Sequence, residues 1–163
     1  MQLENITAKM KMRTIKFRGK VKHEIHWVLG SLLVYGDGEH NIFMPRAHNY
    51  KLDSYNVEPE TVGQYTGRKD SIGREIYEGD IVMSYVIFTD EEEIIREFWR
   101  VGEIRFVAGS FRLTNCTNYD DREMTIKSDI QPSKKSTYGF PTYRSQILGN
   151  IHDNPELLKG GKR

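Results

Sequence analysis

The residues best suited to chemistry are two carboxylates beside a glycine. Glu78 and Asp80 flank Gly79 directly before a run of β-branched and aromatic residues. Such a pair could hold a divalent metal that activates water, which is the chemistry of a hydrolase or nuclease. An aspartate in a turn more often accepts a hydrogen bond from a nearby backbone amide. We therefore interpret Gly73, Gly79 and Asp80 as structural bend residues. Hydrolysis is kept as the third hypothesis for the function, after the two binding hypotheses given below.

Other catalytic signatures are missing from the sequence. It has no phosphate-binding loop with its lysine and no Gly-x-Ser-x-Gly nucleophile elbow. His23 and His26 are three residues apart, which on a strand places them on opposite faces. Cys116 is the single cysteine, so no internal disulfide can form, and we interpret it as a packed side chain. We expect no catalytic residue, no metal site and no cofactor.

Basic and aromatic residues suggest binding rather than catalysis. Lys16, Arg18 and Lys20 belong to a basic stripe that precedes residue 23. Such a stripe could favour phosphate, or it could be the solvated face of a first strand. Tyr65 and Tyr77 could stack on bases, contribute to a protein interface or pack in the core. These five residues are our candidate binding residues.

Composition limits the class of protein. The 163 residues include 24 basic and 23 acidic side chains, so bulk charge does not attract a polyanion. Only 5 prolines are present, which excludes collagen-like and mucin-like chains. No apolar run approaches the ~20 residues of a membrane span, and the first 22 residues lack a secretory signal. We expect a cytoplasmic protein that does not bind membranes.

Short alternating runs bounded by turn signals predict a mainly β fold. The segment Arg46–Glu60 has no strong period, and Asp90–Glu93 is an acidic loop. Single helical turns are predicted at 58–60 and 154–158, each with a proline at its start. The predicted strands are Thr14–Arg18, His26–Tyr35, Asn41–Met44, Val62–Gly67, Arg74–Tyr77, Ile81–Phe88, Val101–Phe106, Phe111–Cys116 and Ile147–Ile151.

Three segments of the sequence, in order, resemble the YopX family of bacteriophage and prophage proteins. They are Met12–Gly19, Val57–Val82 and Ile147–Leu158. The resemblance implies a β-rich fold with an SH3-like small barrel in the C-terminal half. It also implies a phage or prophage origin and a bacterial host cell. It implies no activity and no catalytic residues. The acidic loop and residues 122–138 lie outside these segments, and partner specificity could reside there.

Together these observations predict a small SH3-like β-barrel at residues 61–158, preceded by an N-terminal β meander at 12–60, with flexible tails at 1–11 and 159–163. We expect a non-enzymatic binding or assembly module that forms homo-oligomers and recognises a host or phage protein. The alternative is a nucleic-acid-binding accessory protein that uses the basic stripe and the Tyr/Arg surface.

Overall fold

Among the residues that the structure describes, ten β-strands form two antiparallel sheets, which confirms the prediction of a mainly β protein. The structure is a computed structural model that describes residues 13–45, 52–89, 95–119 and 144–158. The predicted tails, the acidic loop and residues 122–138 lie outside those ranges. The elements are β1 (Phe17–Lys20), β2 (Trp27–Val34), β3 (His40–Pro45), β4 (Leu52–Val57), β5 (Gly63–Lys69), β6 (Glu75–Tyr77), β7 (Asp80–Thr89), β8 (Ile95–Val107), β9 (Ser110–Tyr119), β10 (Ser145–Asn150) and 3₁₀ turns at Pro59–Thr61 and Pro155–Leu158.

The first sheet has six strands in the order β4-β3-β2-β1-β5-β6. It curls, because Val21 just beyond β1 forms an isolated antiparallel bridge with Val57 at the end of β4. Apolar side chains on its inner face then meet, and Val21, Val28, Ile42 and Val57 form a buried cluster. Gly19 permits this approach, since a β-carbon there would lie 3.0 Å from the Val57 side chain. The curl therefore gives a small sheet a core of its own.

The second sheet has four strands in the order β10-β7-β8-β9. Its buried cluster contains Ile76 from β6 of the first sheet together with Val82 and Ile104. The β8–β9 ladder shifts register between Val101 and Glu103. The β8 residue at this shift is Gly102, where a β-carbon would lie 2.7 Å from the Thr114 carbonyl oxygen of β9. The register shift thus lies where two backbones approach closely.

The six-stranded sheet crosses the predicted boundary between residues 60 and 61. β5 follows that boundary in sequence but pairs with β1, through Phe17–Gln64 and Arg18–Gly63. Within the described ranges, no strand pairing closes the four-stranded sheet on itself. The structure in these ranges contains no helix long and apolar enough to cross a membrane.

Candidate functional site

The turn between β6 and β7 is the place where both sheets meet. Gly79 has a φ of +81°, a conformation that glycine adopts without strain. Its N–H donates to the Ile104 carbonyl oxygen at 2.8 Å, and its carbonyl oxygen accepts from the Ile151 N–H at 2.9 Å. On the other side, a β-carbon at Gly63 would lie 2.3 Å from the Glu78 carbonyl oxygen. Three separate segments of chain therefore converge on this one turn.

A buried ion pair crosses the same junction. The Arg18 Nη1 of β1 lies 2.5 Å from Asp80 Oδ1 of β7, with 13% and 2% of the side chains exposed. Asp80 Oδ2 accepts the Tyr77 N–H at 2.7 Å, and Arg18 Nη2 donates to the Glu78 carbonyl oxygen at 3.1 Å. Burial raises the pKa of Asp80 because desolvation outweighs the opposing attraction of Arg18. Both carboxylate oxygens of Asp80 thus have partners.

Arg18 also contacts two aromatic rings. Its guanidinium carbon lies 5.0 Å from the centroid of Trp27 and 5.3 Å from that of Tyr77. A guanidinium over an aromatic face is attracted by the ring quadrupole, and more strongly where water is excluded. Arg18 is consequently held by a carboxylate, a carbonyl oxygen and two rings of its own chain.

The other predicted binding residues are brought close to Arg18, but each has an intramolecular partner. Lys16 Nζ lies 2.6 Å from Glu75 Oε2 and 5.0 Å from the Tyr65 ring centroid. Tyr65 and Tyr77 are 7% and 4% exposed, and their ring centroids are 5.4 Å apart. Burial, followed by the hydrogen bond to Glu75, raises the pKa of Tyr77 far above its ordinary value. These tyrosines pack within the protein.

Lys20 belongs to a cluster around Asp153 that the sequence interpretation did not find. Asp153 accepts hydrogen bonds from Asn150 Nδ2 and Trp27 Nε1, both at 2.9 Å, and from Lys20 Nζ at 2.8 Å. Asn150 and Lys20 lower the pKa of Asp153 to about 2, because their hydrogen bonds favour the carboxylate. The Trp27 and His152 rings lie 5.9 Å apart beside it. The cluster fastens the chain after β10 to the first two strands.

A third contact between distant segments of the chain involves the turn between β5 and β6, after the Arg18–Asp80 ion pair and the cluster around Asp153. Asp70 accepts the Arg74 N–H at 2.8 Å and the Arg74 Nε at 2.8 Å. It also accepts the Ile147 N–H of β10, and these bonds lower the pKa of Asp70 although burial opposes them. Gly73 in this turn has a φ of +87°. Asp70 could be expected in a turn, but its bond to β10 has no signal in the sequence.

The carboxylates near Glu78 line a small crevice of about 160 Å³ at the junction. Glu103 in its wall pairs with Arg105 at 2.8 Å and accepts from Asn115 Nδ2 at 3.0 Å. Glu78 accepts the Phe106 N–H at 2.9 Å. Among the described residues, no three His, Cys, Asp or Glu side chains form a group that could hold a metal ion. Glu78 and Glu103 therefore both have hydrogen-bond partners within the protein.

His23 and His26 do not share a strand. His23 has a φ of +62° and His26 directly precedes β2, so both belong to the connection between β1 and β2. His26 Nε2 lies 2.6 Å from Glu24 Oε2. The strand geometry that we used to separate their side chains therefore does not apply, because the turn after β1 begins before the apolar run of β2.

A larger opening lies at the end of the β8–β9 hairpin, and we call it the arginine groove. Its volume is about 420 Å³, and it is lined by Arg13, Thr66, Gly67, Arg68, Phe106, Gly109, Ser110 and Phe111. The guanidinium carbon of Arg13 lies 5.7 Å from the centroid of Phe111, and the Phe106 and Phe111 centroids are 5.1 Å apart. Phe106 is 52% exposed. The sequence signalled only the hairpin turn here, because the other wall comes from β5.

In the described part of the chain, these features define a mainly β protein with two joined sheets, several internal ion pairs and a basic and aromatic groove. The chain belongs to the YopX family, since the family model described as YopX protein matches residues 16–159. The chain is also similar to the crystal structure of protein EF1440 from Enterococcus faecalis. That similarity has 20% sequence identity and a TM-score of 0.45, and it covers 90% of this chain and 99% of that chain. A comparison with curated proteins gives no significant match.

Proposed function

We propose that this YopX-family chain is a non-enzymatic binding and assembly module that takes a protein segment in the arginine groove. The supporting observation is the groove itself, in which Arg13 lies over Phe111 and beside the half-exposed Phe106. Arginine and large aromatic side chains are enriched at protein interfaces, where they provide most of the binding energy. A volume of about 420 Å³ accommodates a few side chains of a partner.

The non-enzymatic part of the proposal rests on how the carboxylates are used. Asp80 bonds to Arg18 and to the Tyr77 N–H, while Glu78 bonds to the Phe106 N–H. A carboxylate that activates water needs an oxygen directed at that water or at its metal. The hypothesis of a hydrolase therefore has less support than a structural role for the turn between β6 and β7.

Three cations of the basic stripe, on which the nucleic-acid alternative is based, have carboxylate partners. Lys16, Arg18 and Lys20 lie 2.6, 2.5 and 2.8 Å from Glu75, Asp80 and Asp153. A cation already paired with a carboxylate must give up that pair to bind phosphate, so it contributes less to binding. The protein-binding proposal does not require any of these pairs to open.

The remaining parts of the proposal come from the family resemblance. They are an SH3-like barrel within residues 61–158, a phage or prophage origin and a bacterial cytoplasmic setting. A single cysteine is compatible with a reducing compartment. Self-association is proposed because β9 borders the four-stranded sheet and extends over 10 residues.

A capture experiment with matched variants tests the proposed function. The full chain, Phe106→Ser and Leu29→Ser are immobilised and exposed to bacterial lysate, with and without nuclease. Leu29 is 43% exposed on β2, so its variant removes a similar exposed apolar side chain away from the groove. We expect one protein, identified by mass spectrometry, to bind the wild type and Leu29→Ser after nuclease treatment. Its recovery on Phe106→Ser should fall by about tenfold.

Two results would overturn the proposal. Equal recovery of every protein on all three baits, together with a wild-type chain that sediments as a monomer, would show that the groove does not bind a partner. Recovery of nucleic acid alone, lost on nuclease treatment, would support the accessory-protein alternative instead.

A further inference from the structure

The chemistry of the arginine groove selects an acidic partner with apolar neighbours. Arg13 brings a guanidinium over Phe111, and Arg68 lines the same opening. A guanidinium binds a carboxylate through two parallel hydrogen bonds, and phenyl rings bind the aliphatic side chains that flank it. Space for an incoming chain is present because Gly67 carries no side chain on the wall next to Arg13. The groove therefore suits a short acidic segment followed by apolar residues.

The chain contains one segment of that kind. Asp90, Glu91, Glu92 and Glu93 are consecutive, and Ile94 and Ile95 follow them directly. Residues 90–94 connect the end of β7 to the start of β8. The segment thus places four carboxylates beside two branched aliphatic side chains, which are the two kinds of group that the groove suits.

The acidic segment and the groove lie at opposite ends of β8. The segment precedes Ile95, the first residue of β8, whereas Phe106 and Gly109 lie at or just beyond its end. The 13 residues of β8 span about 40 Å at the usual rise of a strand. The five residues that connect β7 to β8 can extend only about 10 Å beyond the strand ends, because the chain must go out and return. The segment cannot reach the groove of its own chain, but it can reach that of another copy.

We propose that the acidic segment Asp90–Glu93 of one copy binds the arginine groove of a second copy, so that the chains associate head to tail. This inference rests on the proposed function and names its partner. The contact joins two different surfaces, so each copy retains one groove and one acidic segment for further contacts. The resulting oligomer is a closed ring or an open chain of copies.

A second copy fits the groove better than single-stranded nucleic acid does. A nucleic-acid strand is bound along a track of cations with rings for successive bases. Lys16, Arg18 and Lys20 are paired with carboxylates, and Tyr65 and Tyr77 are buried. A four-carboxylate segment requires only the charge that the groove itself provides.

A peptide experiment tests recognition directly. A labelled peptide with residues 88–95 of this sequence is titrated with the full chain, and binding is followed by fluorescence anisotropy. We expect saturable binding that weakens at least about tenfold on Arg13→Glu, because the substitution puts like charges together. Lys22→Glu makes the same change of charge on an exposed residue in the β1–β2 connection and should bind as the wild type does. A peptide with lysines at positions 90–93 should not bind.

An oligomer experiment tests association of the whole chain. We expect the wild type to sediment as an oligomer, and Arg13→Glu and the triple variant Glu91→Lys, Glu92→Lys, Glu93→Lys to sediment as monomers. When the two variants are mixed, each has the charge that the other's contact needs. The mixture should therefore recover the heavier species, a result that simple misfolding of either variant cannot give.

Results other than those expected would contradict the inference, and they can be told apart from a failure of the proposed function. Absence of peptide binding and a monomeric wild type would overturn it, while a lysate protein lost on Phe106→Ser would leave the proposed function intact. An Arg13→Glu variant whose only change is a lower melting temperature would assign Arg13 to packing on Phe111 and not to binding, which contradicts the inference. A poly-dT oligonucleotide that binds through Arg13 when the peptide does not would replace the protein partner with nucleic acid.

Discussion

Arg18 and Asp80 are 62 residues apart in the chain, yet Nη1 of the arginine lies 2.5 Å from Oδ1 of the aspartate. The pair links β1 of the six-stranded sheet to β7 of the four-stranded sheet. Removing two charges from water costs about as much as their attraction returns, so such a pair adds little net stability. We infer that its main effect is to select one arrangement of the two sheets.

Replacement of Arg18 by methionine should destabilise the protein by about 3–5 kcal/mol, because it leaves the Asp80 carboxylate buried without its cation. Combining Arg18→Met with Asp80→Asn should cost less than the sum of the two single changes. Urea unfolding of the four proteins measures this coupling. Glu24→Gln removes a solvent-exposed pair and should cost under about 1 kcal/mol. A similarly small cost for Arg18→Met would contradict the interpretation.

Alanine at Gly63 should destabilise the protein by about 1–3 kcal/mol, since its β-carbon would lie 2.3 Å from the Glu78 carbonyl oxygen. Gly36→Ala provides the control, because a β-carbon at Gly36 has no neighbour within 4 Å. That variant should remain within about 0.5 kcal/mol of the wild type. Thermal unfolding followed by circular dichroism compares the two. Equal melting temperatures would show that β5 does not approach the β6–β7 turn this closely.

The cluster around Asp153 should make stability depend on pH in acid. The folded-state pKa of about 2 lies below the ordinary value of 3.8, so folding favours the carboxylate. Its contribution is present above pH ~4 and is lost as the pH falls towards ~2. Asp153→Asn should therefore cost about 1 kcal/mol at neutral pH, a value reduced because a third of the side chain is exposed.

The measurement is the difference in unfolding free energy between wild type and Asp153→Asn at several pH values. This difference should shrink as the pH falls from about 4 to about 2. Glu156→Gln, which changes a carboxylate in the nearby 3₁₀ turn, should show no such trend. A gap that stays constant or widens in acid would contradict the hydrogen bonds assigned to Asp153.

Cys116 should react slowly with thiol reagents in the folded protein. Burial raises the pKa of its thiol, although Arg100 opposes the change, and the thiolate is the reactive form. Alkylation by iodoacetamide at pH ~8, followed by mass spectrometry, should be at least about tenfold slower than in urea. Equal rates in the two conditions would place the thiol at the surface.

The strands that sequence reasoning located best are those with a continuous apolar run. Ile81–Phe88 was predicted and β7 extends from Asp80 to Thr89, because its run is rich in β-branched residues and begins with Ile81 and Val82, which are buried on opposite faces. β4 was missed, since Leu52 and Ser54 face solvent and its inward residues are few. The full length of β8 was also missed, because its alternation is weak around Phe98 and Arg100.

For the candidate site, the sequence identified residues but not their partners. Arg18 and Asp80 were singled out separately, one for binding and the other for a bend. Their contact depends on how two sheets dock, and no local pattern encodes an interaction across 62 residues. The arginine groove was missed for the same reason, since Arg68 of β5 and Phe106 of β8 come from different sheets.

The cluster around Asp153 also affects the order in which the protein can be completed during synthesis. Lys20 and Trp27 leave the ribosome long before Asp153 does, and until then their hydrogen bonds to its carboxylate cannot form. The curled first sheet has its own buried cluster from residues 21–57, so it can collapse earlier. A nascent chain that ends before residue 150 therefore contains every strand of the first sheet but lacks the carboxylate that binds Lys20 and Trp27.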